Sequence, residues 1–296
     1  MVDVGANPID GDPPYKTLLQ KRLCRVTGFE PQAEALAVLN TRKSDLETYL
    51  PNVIADGKSA MLHICRAPGM TSLYKPAAQM LNHFRSFPEW GTVIKEIPVS
   101  TSRLDDVIAE DALDFLKIDV QGGELTAIEN GRHCLASAVT IQTEVSFLPL
   151  YEKQPTFAEI DQVLRTLGFI PHTFAAINRR MIAPLFDERN PYAALNQLLE
   201  ADMVYVRDFT QPQRMSDEQL KHLSIIAHHC YRSFDLATNC IFHLCQRQAI
   251  AANSMQGYVA LAASVQTARV RALGSPAFPR RGGVDGERMH ATGEFT

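Results

Sequence analysis

Short apolar runs alternate with amphipathic stretches from the first residues of the chain to about residue 170. The apolar runs that predict strands lie within residues 2–4, 24–31, 114–120 and 138–147. The stretches that show helical spacing lie within residues 15–23, 32–40 and 156–169. This alternation is typical of a mostly parallel sheet with helices on both faces. We therefore expect an open α/β sheet, which binds its ligands beyond the carboxyl ends of its strands.

Several local features refine this pattern. The segment 52–66 contains two extended runs around Asp56-Gly57, which predicts a hairpin. Residues 103–113 suit a short helix, and Thr156 with Glu159 forms the capping box of a later helix that Gly168 would end. Three further extended runs are expected at 169–174, 179–185 and 202–208.

The pattern becomes helical from residue 216, and it loses its periodicity beyond about residue 266, where Arg, Gly and Pro are frequent. We expect an α/β domain over residues 1–210, a helical appendix over 211–265 and a disordered tail over 266–296. The helical appendix could be a lid, a docking element or an oligomer surface, and its periodicity does not choose among them.

Composition narrows the class of protein. The chain has 296 residues, 46% of them hydrophobic, and a formal net charge of -4, which argues against nucleic acid as a partner. It shows neither a basic leader with an apolar stretch behind it nor a run of about 18 apolar residues. We expect a cytoplasmic protein without membrane insertion. No metal is expected, because no zinc-site spacing is matched by His228, His229, Cys230, Cys240, His243 and Cys245.

Acidic residues fall at the predicted strand ends. Asp3 and Gly5 end the first strand, Glu30 ends the second, and Asp119 ends a later one. A glycine turn followed by an acid on the next strand is suited to bind the hydroxyls of a ribose. The G-x-G-x-x-G pattern that would hold a pyrophosphate is absent, because only Gly5 and Gly11 are available. A ligand with a ribose and no phosphates fits better, and S-adenosylmethionine is the common one.

Five sequence blocks, in order and spacing, resemble the FkbM-type family of S-adenosylmethionine-dependent methyltransferases. They are VDVGAN (2–7), GFEPQAEALAVLN (28–40), SRLDDV (102–107), LDFLKIDVQGGELTAIENG (113–131) and TEVSFLPLY (143–151). The resemblance covers roughly residues 2–208. It implies a class I methyltransferase fold, Rossmann-like, with a seven-stranded sheet and an antiparallel last strand. It also implies methyl transfer to a hydroxyl of a sugar or another small acceptor.

The resemblance also assigns site residues. Those implied to contact the cofactor are Asp3, Gly5 and Asn7 at the methionine part, Glu30 at the ribose and Asp56 at the adenine. Those implied at the reaction are Asp119 near the transferred methyl group, with Glu124 and Glu144 flanking the acceptor pocket. Asp119 and Glu144 are the candidate bases, and His172 is a third candidate, because transfer to an unactivated hydroxyl requires removal of a proton.

The chain departs from the family pattern in two places. Members commonly show a second glycine two residues after the Asn, whereas position 9 is Ile and the glycine comes at 11. The family domain also has residues ahead of its first strand, so this chain is either a compact variant or one whose start has been placed late. The alternative function is an inactive methyltransferase-like binding or assembly module. A nicotinamide-dependent oxidoreductase is disfavoured by the missing glycine pattern.

Overall fold

The structure is a computed structural model that describes residues 1–7, 11–109, 113–190 and 192–273, with the backbone alone for 266–273. The chain divides into two units, Met1–Met255 and a second unit that begins at Gln256. Residues 274–296, which make up most of the predicted tail, lie outside the described residues.

Ten strands form two sheets in the part of the chain that the structure describes. The strands are β1 Val2–Val4, β2 Val26–Phe29, β3 Glu47–Leu50, β4 Val53–Ile54, β5 Ser59–Cys65, β6 Val93–Ser102, β7 Phe115–Ile118, β8 Thr140–Ser146, β9 Phe169–Arg180 and β10 Gln197–Arg207. The seven strands of the larger sheet lie in the order β3-β2-β1-β7-β8-β10-β9, and β10 runs antiparallel to both of its neighbours. The other neighbouring pairs in this sheet are parallel. The expected α/β fold with an antiparallel last strand is confirmed.

Ten α-helices accompany the sheets in the described residues. They are α1 Lys16–Gln20, α2 Ala33–Arg42, α3 Ala78–Leu81, α4 Phe87–Trp90, α5 Leu104–Val107, α6 Glu124–Glu129, α7 Phe157–Thr166, α8 Asp217–Ile226, α9 Phe234–Gln246 and α10 Ser254–Leu273. The capping box of Thr156 and Glu159 is present, and Gly168 follows α7 with a φ of 84°. The helix expected at 103–113 is limited to α5 in the described residues.

The central strands of the larger sheet lie in the interior of the protein, although several of their residues are polar. Every residue of β1 and of β8 is buried. Val4, Phe29, Ile118 and Ile141 belong to one core cluster that also includes apolar residues of α6 and α7. These buried strands form a rigid base, and the loops at their carboxyl ends project from it.

The hairpin predicted at 52–66 is wrong. β4 and β5 do not pair with each other, because β6 lies between them and pairs in parallel with β4 and antiparallel with β5. The Asp56-Gly57 turn is present, with Gly57 at a φ of 83°. A turn motif alone does not show whether its flanking strands pair directly or leave room for a third strand, and the partner strand comes about 40 residues later in the chain.

The extended run predicted at 179–185 is also wrong as a strand of its own. Only Arg179 and Arg180 are extended, as the end of β9, and residues 181–185 lie in the connection to β10. Ile182 and Leu185 are exposed in that connection, so its apolar character does not come from burial in a sheet.

The helices after β10 do not form one separate body. α8 and α9 belong to the Met1–Met255 unit together with the sheet, whereas most of α10 belongs to the second unit. α10 extends to Leu273, eight residues past the boundary expected at 265. None of the helices in the described ranges is long and apolar enough to cross a membrane.

Candidate functional site

A large cavity opens at the carboxyl ends of the parallel strands. Its volume is about 1160 Å³, and residues at the ends of β1, β2, β7 and β8 line it, together with residues of β9 and β10. An open α/β sheet places its ligand at this edge, where the strand order reverses beside β1. The volume is enough for a nucleoside-sized cofactor and an acceptor side by side.

The turn after β1 requires glycine. Gly5 has a φ of 81°, and a β-carbon there would stand 1.9 Å from the main-chain oxygen of Asp119. The amides of Gly5 and Ala6 both donate to the carbonyl of Phe29, at 3.0 and 3.1 Å. This turn therefore joins the ends of three neighbouring strands, and its backbone lines the cavity together with Asn7.

Glu30 follows β2 directly and lines the same cavity. Its side chain is buried, and Oε1 accepts the amide hydrogen of Gln32 at 2.7 Å, which fixes the carboxylate at the cavity wall. Burial raises the pKa of Glu30, and the nearby charge of Asp3 adds to the effect. Burial of an acid is costly without partners, so a ligand that donates hydroxyl groups would stabilise it.

Asp3 lies within β1 and is bound by two residues that the sequence analysis did not single out. Lys117 Nζ lies 3.2 Å from Asp3 Oδ1, and the hydroxyl of Tyr15 donates to Oδ2. Burial raises the pKa of Asp3, and the ammonium group of Lys117 opposes that rise. A lysine within the otherwise apolar strand FLKI could have indicated such a buried pair, whereas nothing local to Tyr15 indicates its partner.

The side-chain amide of Gln121 bridges the carboxylates of Asp119 and Glu144 through two hydrogen bonds. Nε2 of Gln121 donates to Asp119 Oδ1 at 2.9 Å and to Glu144 Oε2 at 3.3 Å. Gln121 has a φ of 58°, an unfavourable conformation for a residue with a side chain, and the hydroxyl of Tyr151 donates to its Oε1 at 3.1 Å. Both carboxylates line the cavity.

Glu144 is an acid in a strongly altered environment. It is buried, and its pKa is raised well above the usual range by burial first and then by the negative charges of Asp119, Glu200, Glu124 and Asp202. A carboxylate with a raised pKa binds a proton more readily near neutral pH. The arrangement can therefore remove a proton from an acceptor bound in the cavity.

Glu124 has a different position from the one expected. It is not among the residues that line the cavity, because it lies beneath the loop after β7. Its Oε1 accepts the amide hydrogens of Val120 at 2.9 Å and Gly122 at 3.1 Å. Burial raises its pKa to about 7. Glu124 thus holds the loop that carries Asp119 and Gln121, and its side chain is not among those that line the cavity.

Two other expected residues do not reach the cavity. Asp56 accepts the amide of its neighbour Lys58 at 3.1 Å and pairs with the Lys58 ammonium at 2.9 Å, so it acts as a turn residue outside the lining. His172 lies on β9 with Nε2 2.8 Å from the hydroxyl of Ser233, near the start of α9. Neither Asp56 nor His172 is among the residues that line the cavity.

The wall formed by β9, β10 and α4 was missed by the sequence analysis. Glu200 lines the cavity there, and burial raises its pKa to about 7. The rings of Trp90 and Tyr192 stack with their centroids 5.3 Å apart, and the guanidinium of Arg180 lies 5.5 Å from the Tyr192 ring. No local motif marks these residues. Strands β9 and β10 bring Arg180 and Glu200 to the site, and α4 brings Trp90.

Three acids are close enough to share a cation. One ligand oxygen each of Asp119, Glu124 and Glu144 lies within 4.8 Å of the others. Two backbone amides already occupy Glu124, and the amide of Gln121 bridges the other two. These hydrogen bonds engage one oxygen atom of each of the three carboxylates.

Comparison with known proteins shows the family to which the chain belongs. A profile described as the Methyltransferase FkbM domain matches residues 3–171. Among curated proteins, the chain is similar to the 2-O-methyltransferase NoeI of Sinorhizobium fredii (strain NBRC 101917 / NGR234). The two are 28% identical over 163 residues, which are 52% of this chain and 66% of NoeI. The match thus spans just under two thirds of that relative's length.

Solved structures with a similar chain path are more distant. Magnesium protoporphyrin IX methyltransferase (ChlM) from Synechocystis PCC 6803, solved with bound SAM, is 10% identical, and the match has a TM-score of 0.36. It covers 70% of this chain and 69% of that one. The LepI complex with SAM is 9% identical, and the match has a TM-score of 0.31. It covers 70% of this chain and 42% of that one.

The profile match covers more than half of the chain. It includes the glycine turn, the acid after β2 and the loop after β7, which the fold brings to one cavity. The chain belongs to the FkbM methyltransferase family.

Proposed function

We propose that this methyltransferase transfers the methyl group of S-adenosylmethionine to a hydroxyl of a small molecule or sugar, with Glu144 as the general base. The observation that carries the proposal is the buried carboxylate of Glu144 in the cavity wall, with its pKa raised by burial and by the acids around it. A hydroxyl needs such a base, since it is a poor nucleophile while it keeps its proton.

The residues of the cavity fit the proposed cofactor. Gly5 allows the backbone to approach a ligand closely, and Glu30 offers a carboxylate to a ribose. Asp3 and Asp119 place negative charge where the sulfonium and ammonium groups would lie. When bound, S-adenosylmethionine supplies an electrophilic methyl group, and the protein aligns the acceptor oxygen with it.

Asp119 and Glu144 would then have different roles, one toward the cofactor and one toward the acceptor. Asp119 follows β7, next to the Gly5 turn, so we assign it to the cofactor side. Glu144 lies on β8, where the Cα of Asp202 on β10 is its direct cross-strand partner, so we assign it to the acceptor side. Gln121 holds both carboxylates in a fixed relation. Glu124 would support the loop and would not contact the acceptor.

A polyhydroxylated acceptor fits the far wall. Sugars bind to proteins through hydrogen bonds from acidic and amide side chains and through contacts of their apolar faces with aromatic rings. Glu200, Asn178, Trp90 and Tyr192 supply both kinds of group around one end of the cavity. The name of the relative NoeI, a 2-O-methyltransferase, supports a hydroxyl acceptor.

The test is methyl transfer from labelled S-adenosylmethionine to a panel of sugars, glycosides and small alcohols, with products identified by mass spectrometry. We expect a product that carries one additional O-methyl group, and we expect Glu144→Gln to abolish its formation while cofactor binding persists. Exclusive methylation of amines or thiols in a matched panel would contradict the proposal. Cofactor binding with no transfer to any acceptor class would favour the alternative of a binding module.

A further inference from the structure

Lys117 is a charged residue within the central sheet. It lies in β7 between β1 and β8, where its Cα is in register with Asp3 on one side and Gln142 on the other. Only 20% of its side chain is exposed. An ammonium group in such a position is costly unless it has a partner of opposite charge. The free energy of Lys117 in this position therefore depends on its ionic partner far more than that of an exposed lysine would.

Its partner is Asp3. The Lys117 Nζ to Asp3 Oδ1 distance is 3.2 Å, and the Asp3 side chain is 4% exposed. The titratable groups that act on Asp3 are the hydroxyls of Tyr15 beside α1 and Tyr49 on β3, the ammonium of Lys117 on β7, and the carboxylates of Asp119 and Glu30 at neighbouring strand ends. Among these groups Lys117 alone carries positive charge. Asp119 and Asp202 also act on Lys117, and both favour its charged form.

The pair belongs to the cavity wall, since both Asp3 and Lys117 line it. Without Lys117, the carboxylate of Asp3 would be buried beside like charges and would take up a proton. A neutral Asp3 could not attract a cationic group of a ligand. In addition, once Lys117 is absent, the hydroxyl of Tyr15 would be the remaining side-chain partner that holds the Asp3 carboxylate in place.

We infer that Lys117 is a positioning residue for cofactor binding, which keeps Asp3 ionised and aimed at the amino-acid end of S-adenosylmethionine. The inference rests on the proposed placement of Asp3 at that end of the cofactor. Lys117 acts through Asp3, so its contribution to affinity exists only while Asp3 carries a carboxylate. A purely structural ion pair would affect stability without this dependence.

The test is calorimetric binding of S-adenosylhomocysteine to the full chain between about pH 6 and pH 8.5, with melting temperatures measured in parallel. The variants are Lys117→Met, Lys117→Arg, Asp3→Asn and the double variant Asp3→Asn/Lys117→Met. The amino group of the probe titrates in every sample, so affinities are expressed relative to the wild type at each pH.

We expect Lys117→Met to weaken binding by about tenfold or more near pH 6, since a charge-assisted contact is lost. The loss should shrink as pH rises, because Asp3 ionises again above its further raised pKa. Lys117→Arg should stay within about threefold of the wild type, because the charge remains. In the Asp3→Asn background, Lys117→Met should add no further loss of affinity. The double variant removes both charges of the pair, so comparing it with Asp3→Asn still tests the inference if Lys117→Met alone does not fold.

Different failures have different meanings. Wild-type affinity in Asp3→Asn would overturn the placement of Asp3 in the proposed site and, with it, the inference. A loss of affinity in Asp3→Asn with wild-type affinity in Lys117→Met at every pH would overturn the inference alone. A loss of affinity from Lys117→Met that is independent of pH, or that persists in the Asp3→Asn background, would also overturn it.

Discussion

The main-chain oxygen of Asp119 occupies the space that a β-carbon on Gly5 would need, at a distance of 1.9 Å. The contact joins the loops after β1 and β7, and it places the two halves of the cavity wall against each other. Because Gly5 also has a φ of 81°, no other residue fits there without movement of the backbone.

We therefore predict that Gly5→Ala separates the two loops. The variant should lose cofactor affinity by at least about tenfold and stability by about 1 to 3 kcal/mol, measured by calorimetry and by urea unfolding. The matched control is Gly257→Ala in α10, where a β-carbon would meet nothing within 4 Å. That variant should bind as the wild type does. Wild-type affinity in Gly5→Ala would show that the loops do not form the cofactor site.

Glu144→Gln tests the proposed base. We expect kcat to fall by about 10²- to 10⁴-fold with cofactor affinity unchanged, because the amide cannot accept the proton. A base acts only when ionised, and the pKa of Glu144 is raised well above its usual range. In the wild type kcat should therefore fall as pH falls through that raised pKa, and the fall should vanish in the variant.

The control for this experiment is Glu129→Gln, an exposed acid at the end of α6. It should leave kcat and its pH profile unchanged. An unchanged acid limb in Glu144→Gln would assign the base to another residue, and Asp119→Asn would then be the next variant to measure.

The site residues that could best be predicted from the sequence are those whose position follows from the strand that they directly succeed. Gly5, Glu30 and Asp119 each follow a buried strand, so their place at the carboxyl edge could be inferred from local patterns. The sequence could not show that Asp56 would bind Lys58, two residues later, since the same turn motif also fits an acid that contacts a ligand. Nor could it show that Glu124 would turn inward to the loop amides.

Residues brought together by long-range pairing were missed for a different reason. Glu200 reaches the cavity because β10 inserts antiparallel beside β8, and Trp90 reaches it from a short helix far away in the chain. Their neighbours in sequence are unremarkable apolar or polar residues. Only the register of the strands, which a single sequence does not fix, sets which side chains meet at the cavity.

Arg207 connects several elements at the end of β10. Its guanidinium donates to the carbonyls of Leu135, Ala136, Ala138 and Leu167 at 2.6 to 2.7 Å. Burial lowers its pKa to about 10. We predict that Arg207→Met destabilises the fold by about 2 to 4 kcal/mol in urea unfolding, since carbonyl groups lose their donors. Exposed Arg214→Lys should change stability by less than about 0.5 kcal/mol. Equal stability of Arg207→Met and the wild type would contradict this role.

His222 on α8 should make stability depend on pH. Its Nδ1 lies 2.6 Å from Asp114 Oδ1, and this hydrogen bond raises the pKa of His222 and lowers that of Asp114. A raised histidine pKa means that the stabilisation is fully present below about pH 6.5 and is lost as pH rises through the folded-state pKa. The lowered pKa of Asp114 keeps the pair intact down to the acid range.

We predict that His222→Gln is less stable than the wild type by about 0.2 to 1 kcal/mol near pH 5.5, the range for a partly exposed pair. The difference should disappear near about pH 8.5, where the histidine is neutral in both states. Urea unfolding at both pH values measures it, with His133→Gln on the exposed surface as the control. A difference that grows with pH would contradict the assignment.

The central claim is that the cavity beside Gly5 holds the cofactor, with Glu30 at its ribose. The most direct measurement is calorimetric binding of S-adenosylhomocysteine to the wild type, to Glu30→Gln and to Asp56→Asn. We predict one site in the wild type, a loss of about tenfold or more in Glu30→Gln and no change in Asp56→Asn. Wild-type affinity in Glu30→Gln, or a loss confined to Asp56→Asn, would contradict the account.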